Sequence, residues 1–160
     1  MGSRIDFKKT IVEYEEKISS LALKKAKQKD YLTFNFSFIT NNSSYNFDNS
    51  SLQHEHRQLL LNRLIELSSK SIVELTASTS KKTGLEKIKV FKHNDKISKM
   101  KIHKEFDGSV RKGMAGSGYW IFRLCPNNNP SPCRIIGKMI NDVFYVMYID
   151  LDHSLYAKRR

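Results

Sequence analysis

Arg134, Lys138, Tyr145, His153 and Tyr156 fall within 23 residues near the end of the chain. Their types match the needs of RNA cleavage without a metal. A base takes the 2′-hydroxyl proton, an acid protonates the leaving 5′-oxygen, and cations stabilise the charged phosphorane. Histidine serves as either acid or base near neutral pH, and tyrosine, lysine and arginine supply the other parts. The plainer alternative makes His153 a surface turn residue oriented or capped by Asp152. Its place after two strand-like runs, beside Tyr156, raises the case for a role without overtaking the plainer reading, because working groups often sit at element ends on a rigid sheet.

Other chemistries find less support. No cluster of carboxylates suits a pair of Mg²⁺ ions. Cys125 and Cys133 have seven residues between them, unlike a zinc knuckle, and His54 and His56 diverge on a helix. Neither metal nor cofactor is expected. Gly113, Gly116 and Gly118 precede a strand and lack the Gly-Lys-Ser/Thr of a phosphate loop. There is no Gly-x-Ser-x-Gly elbow and no cysteine-protease signature. Asp150, Asp152 and His153 are too close in the chain to be read as a triad.

The formal net charge is +12 over 160 residues. Residues 1–80 hold 11 Lys/Arg against 9 Asp/Glu, and residues 81–160 hold 17 against 7. The second half carries the sign of a polyanion binder, with nucleic acid as the leading partner. No apolar run approaches the ~18 residues of a membrane span. Met1–Thr10 lacks the apolar stretch of a secretory signal. A cytoplasmic protein with two reduced thiols is expected, without membrane association.

The elements that must position the five residues are legible as patterns. Phe7, Ile11, Tyr14, Ile18 and Leu21 make one helical stripe over 5–28. In 31–40, Leu32, Phe34, Phe36 and Phe38 alternate with Thr33, Asn35 and Ser37, as in a half-buried strand. A polar loop leads to a helix over 52–69, and Ser71 with Glu74 has capping-box spacing for a short helix. Thr83 with Glu86 repeats that spacing more weakly. Residues 81–104 hold nine lysines, two histidines and two acids. Together with the glycines that follow, 81–118 reads as a basic flexible arm. Strands follow over 119–125, 133–140 and 143–150, the last two joined at Asn141-Asp142. The whole reads as a single α+β domain over 1–160, with N-terminal helices packed on an antiparallel sheet and the working residues in 119–157.

If Cys125 and Cys133 face each other, Leu124 pairs with Arg134 and Phe122 with Ile136. Trp120, Phe122, Arg134, Lys138 and Tyr145 then share one half-exposed face, while Arg123 lies on the other. Cations meeting phosphate beside rings meeting unstacked bases would suit RNA. Lys99, Lys101, His103, Lys104, Arg111 and Lys112 extend the nucleic-acid-binding set along the arm.

The runs "YWIFRL" and "CRIIGKMINDVFYVMYIDLDHSLY" resemble the C-terminal sheet of RelE/ParE-type toxins, including the YoeB-like branch. In these an Arg-bearing strand leads by a short turn to an aromatic strand and a terminal His/Tyr element. The resemblance covers residues 119–157. It is also similar to a group of small low-GC bacterial and mobile-element proteins ending in Phe-Tyr…Asp-x-x-His-x-Leu-Tyr. The toxin resemblance implies metal-independent cleavage of free or ribosome-bound mRNA, with an antitoxin masking the basic face. Arg134 would neutralise phosphate, and His153 and Tyr156 would form the terminal acid/base element; Lys138 and Tyr145 are added by strand geometry alone. A chain of 160 residues is nearly twice the usual toxin length, and its helix–strand–helix start differs from theirs. The competing expectation is a non-catalytic nucleic-acid-binding accessory or phage-defence protein of a mobile element. A third is a protein-interaction module presenting the helix over 5–28.

Overall fold

The C-terminal hairpin is the most strongly patterned part of the chain, and it forms the middle of the sheet. A computed structural model describes residues 30–77 and 82–157; the expected helix over 5–28 lies outside them. The order is β1 (Thr33–Asn35), a 3₁₀ turn (Ser43–Tyr45), α1 (His54–Ser68), α2 (Ile72–Ala77), β2 (Glu86–Ile88), a second 3₁₀ turn (Lys96–Lys99), α3 (Lys104–Asp107), α4 (Val110–Ala115), β3 (Tyr119–Arg123), β4 (Arg134–Ile140) and β5 (Val143–Asp150). This is the expected α+β class, with helices packed against a sheet.

The sheet runs β1-β5-β4-β3-β2. The three C-terminal strands are its centre and pair antiparallel. Asn141 closes the β4–β5 turn with φ of 53°, a left-handed conformation that asparagine tolerates. β1 pairs parallel to β5, with Phe34 opposite Phe144, so the sheet is mixed rather than wholly antiparallel.

Both faces of the sheet are covered. On one, Phe122, Ile135, Phe144 and Val146 pack with Leu60 and Leu67 of α1 and Leu75 of α2. On the other, Ile121, Ile136, Met147 and Tyr148 pack with Ile88, Ile97 and Phe106. Alternation along β5 breaks once. Ile136 opposes Tyr148 but Gly137 opposes Val146, leaving Met147 as the extra residue of a bulge. Met147 and Tyr148 therefore enter the same core. Gly137 sits where a Cβ would collide with the Phe144 ring and the Tyr145 carbonyl.

Arg63 ties α1 to the rest. Its buried guanidinium donates to the carbonyls of Arg123 (3.1 Å) and Thr83 (3.1 Å) and pairs with Glu66 at 2.5 Å. The capping box before α2 forms as expected: Ser71 N–H donates to Glu74 Oε2 (2.8 Å), and Glu74 N–H to Ser71 Oγ (3.3 Å).

Three expectations are corrected. The β3–β4 register lies one residue away: Arg123 opposes Arg134 and Ile121 opposes Ile136. Leu124 N–H, not Cys125, bonds to the Cys133 carbonyl at 3.1 Å. That slip buries Phe122 and Leu124 against the helices, turns the half-buried Trp120 to the same side, and moves Arg123 onto the face of Arg134 and Lys138. The strand expected over 31–40 is short. Asn35 Oδ1 accepts the Ser37 N–H at 2.9 Å, and this turn sends Phe38 into the opposite core from Phe34 and Phe36. Segment 81–118, read as an arm, is folded where it is described. β2 extends the sheet edge, and Ile97 and Phe106 are buried against the sheet. Among the described residues no helix is long and apolar enough to cross a membrane.

Candidate functional site

At one end of the second face, Asp150 builds the turn that carries His153. Its carboxylate is buried and accepts the Ser154 N–H (2.9 Å) and the Leu155 N–H (3.0 Å). Burial raises its pKa, while these two N–H groups oppose the rise. His153 occupies the turn with φ of 56°. Its ring meets Tyr156 edge-on at 4.6 Å, and Phe91 also packs on Tyr156, with ring centres 5.5 Å apart. Asp95 holds this corner closed, accepting Ala157 N–H (3.0 Å) and Lys92 N–H (2.8 Å).

Arg134 points into the same corner but is only 3 % exposed. It donates to the Pro132 carbonyl (2.7 Å), the Cys133 carbonyl (3.2 Å) and Asn128 Oδ1 (2.8 Å). Burial lowers its pKa, and the Tyr156 phenol beside it acts the other way. Burial pushes that phenol up to about 12 against the pull of the guanidinium.

Lys138 and Tyr145 stand apart. Lys138 is four residues along β4 from Arg134, about 13 Å at the rise of a strand, with Ile136 between them. Its ammonium donates to the carbonyls of Gly116 (3.0 Å), Ser117 (3.0 Å) and Gly118 (2.8 Å) and lies 3.9 Å from the Tyr119 ring centre. Burial, and then Lys112, lower its pKa to about 8. The carbonyls and the ring favour the charged form and keep it protonated at neutral pH. Three donors engaged by three carbonyls make this a structural ammonium that anchors the glycine loop. Tyr145 packs on Phe38 (5.7 Å) and Phe106 (6.1 Å). The five residues thus form two groups: Arg134, His153 and Tyr156 together, Lys138 and Tyr145 elsewhere.

The nucleic-acid-binding set also divides. Phe122 is 1 % exposed and meets Phe34 and Phe144, so it has no free face for a base. Trp120 is on that same helix-covered side, with Lys87 Nζ 5.2 Å from its ring. Lys99, Lys101, Lys104, Arg111 and Lys112 are all exposed. Lys112 pairs with Asp107 at 2.7 Å, and Arg111 lies over Phe38. His103 is half-buried at the start of α3.

Residues 86–115 hold nine Lys/Arg, all exposed; of their four acids, only Glu105 and Asp107 are. Burial of Ile88, Ile97 and Phe106 turns this segment's cations outward.

A polar cleft of about 450 Å³ joins Tyr45, Lys96, Asp152 and Ser154. The Tyr45 hydroxyl lies 3.4 Å from Ser154 Oγ, and Lys96 sits 5.1 Å from the Tyr45 ring. Tyr45 raises the Lys96 pKa, and the Ser154 hydroxyl lowers that of Asp152. No local pattern joins Tyr45 to Ser154 across 109 residues. Both cysteines are buried free thiols. Among the described residues no group of three or more His, Cys, Asp and Glu is gathered to hold a metal. No family model, curated protein or solved structure matches the chain.

Proposed function

We propose that the chain binds nucleic acid, RNA in the first place, through the outer surface of segment 86–115. The observation that carries this reading is the outward set of eight exposed cations, Lys87 lying instead over Trp120, on a folded layer anchored by the buried Ile88, Ile97 and Phe106, with Val90, Val110 and Met114 exposed among them. A fixed array of cations gains affinity by releasing condensed counterions. Sequence-independent phosphate contacts are the role of an accessory or phage-defence protein that does no chemistry. The test is the fluorescence anisotropy of a labelled single-stranded RNA at rising salt. Binding that weakens steeply supports the reading, and no binding at low salt removes it.

A second reading keeps metal-independent RNA cleavage, as the resemblance to RelE/ParE-type toxins implies. It is favoured by the meeting of His153 with Tyr156 and of Tyr156 with Arg134 in one corner. Both His153 ring nitrogens are buried and Tyr156 is 7 % exposed, so exchange of protons with RNA by this pair requires the corner to open. Arg134, held by two carbonyls and Asn128, acts by its charge rather than by direct contact. An antitoxin on the basic layer belongs to this reading.

A further inference from the structure

The basic layer contains a cleft that its charge does not explain. It has a volume of about 310 Å³ and lies between the 89–102 stretch and the loop before β3. Phe91, Tyr119, Met100 and Ile102 supply apolar walls, all half-buried, and the buried Ile97 also lines it. The Phe91 and Tyr119 rings are 5.3 Å apart and tilted by 54°. The hydroxyls of Ser98 and Ser117 line the same space. Ser98 Oγ donates to the Lys92 carbonyl at 2.8 Å, which leaves its oxygen able to accept. Lys89 belongs to the lining, and the exposed Lys99 and Lys101 flank Met100 in the chain.

Those parts match one ligand chemistry. Rings and a thioether offer apolar contact to a flat heterocycle, hydroxyls meet its polar edge, and flanking ammonium groups meet an anionic backbone. The volume is near the lower end of small-ligand pockets, roughly 300 Å³, and suits a nucleoside. A base paired within a duplex cannot enter it. We propose that this cleft takes one unpaired base of a single-stranded nucleic acid whose phosphates lie along Lys89, Lys99 and Lys101. The proposal rests on the nucleic-acid-binding reading and adds a structural preference to it: single strands over duplexes.

The test uses the full chain and an RNA of about ten nucleotides carrying the fluorescent base 2-aminopurine, alone or annealed to its complement. Expected results are tighter binding of the single strand, a change in 2-aminopurine emission on binding, and loss of both in Ser117→Trp and in Ser98→Trp. The filling variants should weaken single-strand binding about tenfold and leave duplex binding as it was. Preserved duplex binding also shows that each variant has folded. Equal affinity for the two forms in the wild type, or filling variants that keep the full single-strand affinity, overturns the cleft but not the basic surface. Binding of neither form at low salt overturns the reading beneath it.

Discussion

The Lys138 ammonium lies 3.9 Å from the centre of the Tyr119 ring and donates to three successive carbonyls, those of Gly116, Ser117 and Gly118. A lysine that a sequence reading would send to a phosphate is instead the anchor of the glycine loop. Lys138→Met should destabilise the fold by about 1–3 kcal/mol, because three carbonyls lose their donor. Chemical denaturation measures it. The pH dependence has a definite sign. The folded-state pKa is lowered to about 8 from an ordinary 10.5, so the unfolded chain binds the proton more tightly. Wild-type stability relative to Lys138→Met should rise as pH climbs from about 8 towards 10.5, and stay level below.

Gly137 lies under the Phe144 ring beside the bulge at Met147. A methyl group there meets the Tyr145 backbone, which cannot swing away as a side-chain tip can. Gly137→Ala should lower stability by at least about 1–3 kcal/mol, visible as a lower thermal midpoint.

Asp150 holds the terminal turn through the N–H groups of Ser154 and Leu155. Asp150→Ala removes both acceptors and should destabilise the protein by about 1–3 kcal/mol. The loss should be local first: amide exchange at Ser154 and Leu155 should speed up before that of the β4–β5 pair.

How far these features were readable varies with the distance over which each is determined. The α1 boundaries, the Ser71–Glu74 cap and the Asn141-Asp142 turn are local and were legible. The sharing of one face by Arg134, Lys138 and Tyr145 followed from the two-residue hairpin. The side of Arg123 did not, because "WIFRL" offers apolar residues in both registers and only the helix-side core chooses. Ile88, Ile97 and Phe106 follow no helical or strand period, so the burial that folds the lysine-rich segment left no pattern. The parallel pairing of β1 with β5 joins residues 110 apart, such as Thr33 and Val143, with no local signal. The Tyr45–Ser154 contact escaped for the same reason.

Cleavage at the His153–Tyr156 corner is separable from binding. His153→Asn keeps a side chain that tolerates the left-handed backbone at this position. Under the second reading, His153→Asn and Tyr156→Phe should each slow cleavage of a radiolabelled RNA by about 100-fold or more, with RNA affinity unchanged. Arg134 is the poorer probe, since its loss leaves Asn128 and two carbonyls unmet. A wild type that leaves RNA intact excludes this reading and keeps the binding role.

The most direct measurement is the affinity for single-stranded RNA as a function of salt, in the wild type and in Lys99→Ala/Lys101→Ala/Lys104→Ala. These three lysines are exposed on the folded layer and lie outside the cradle of Lys138 and the corner of His153. The wild type should lose affinity steeply as salt rises. The triple variant should bind more weakly and show a log–log slope shallower by about 2, at about 0.7 per phosphate contact on a single strand. A wild type that does not bind at low salt, or a triple variant with unchanged slope and affinity, would contradict nucleic-acid binding on this surface.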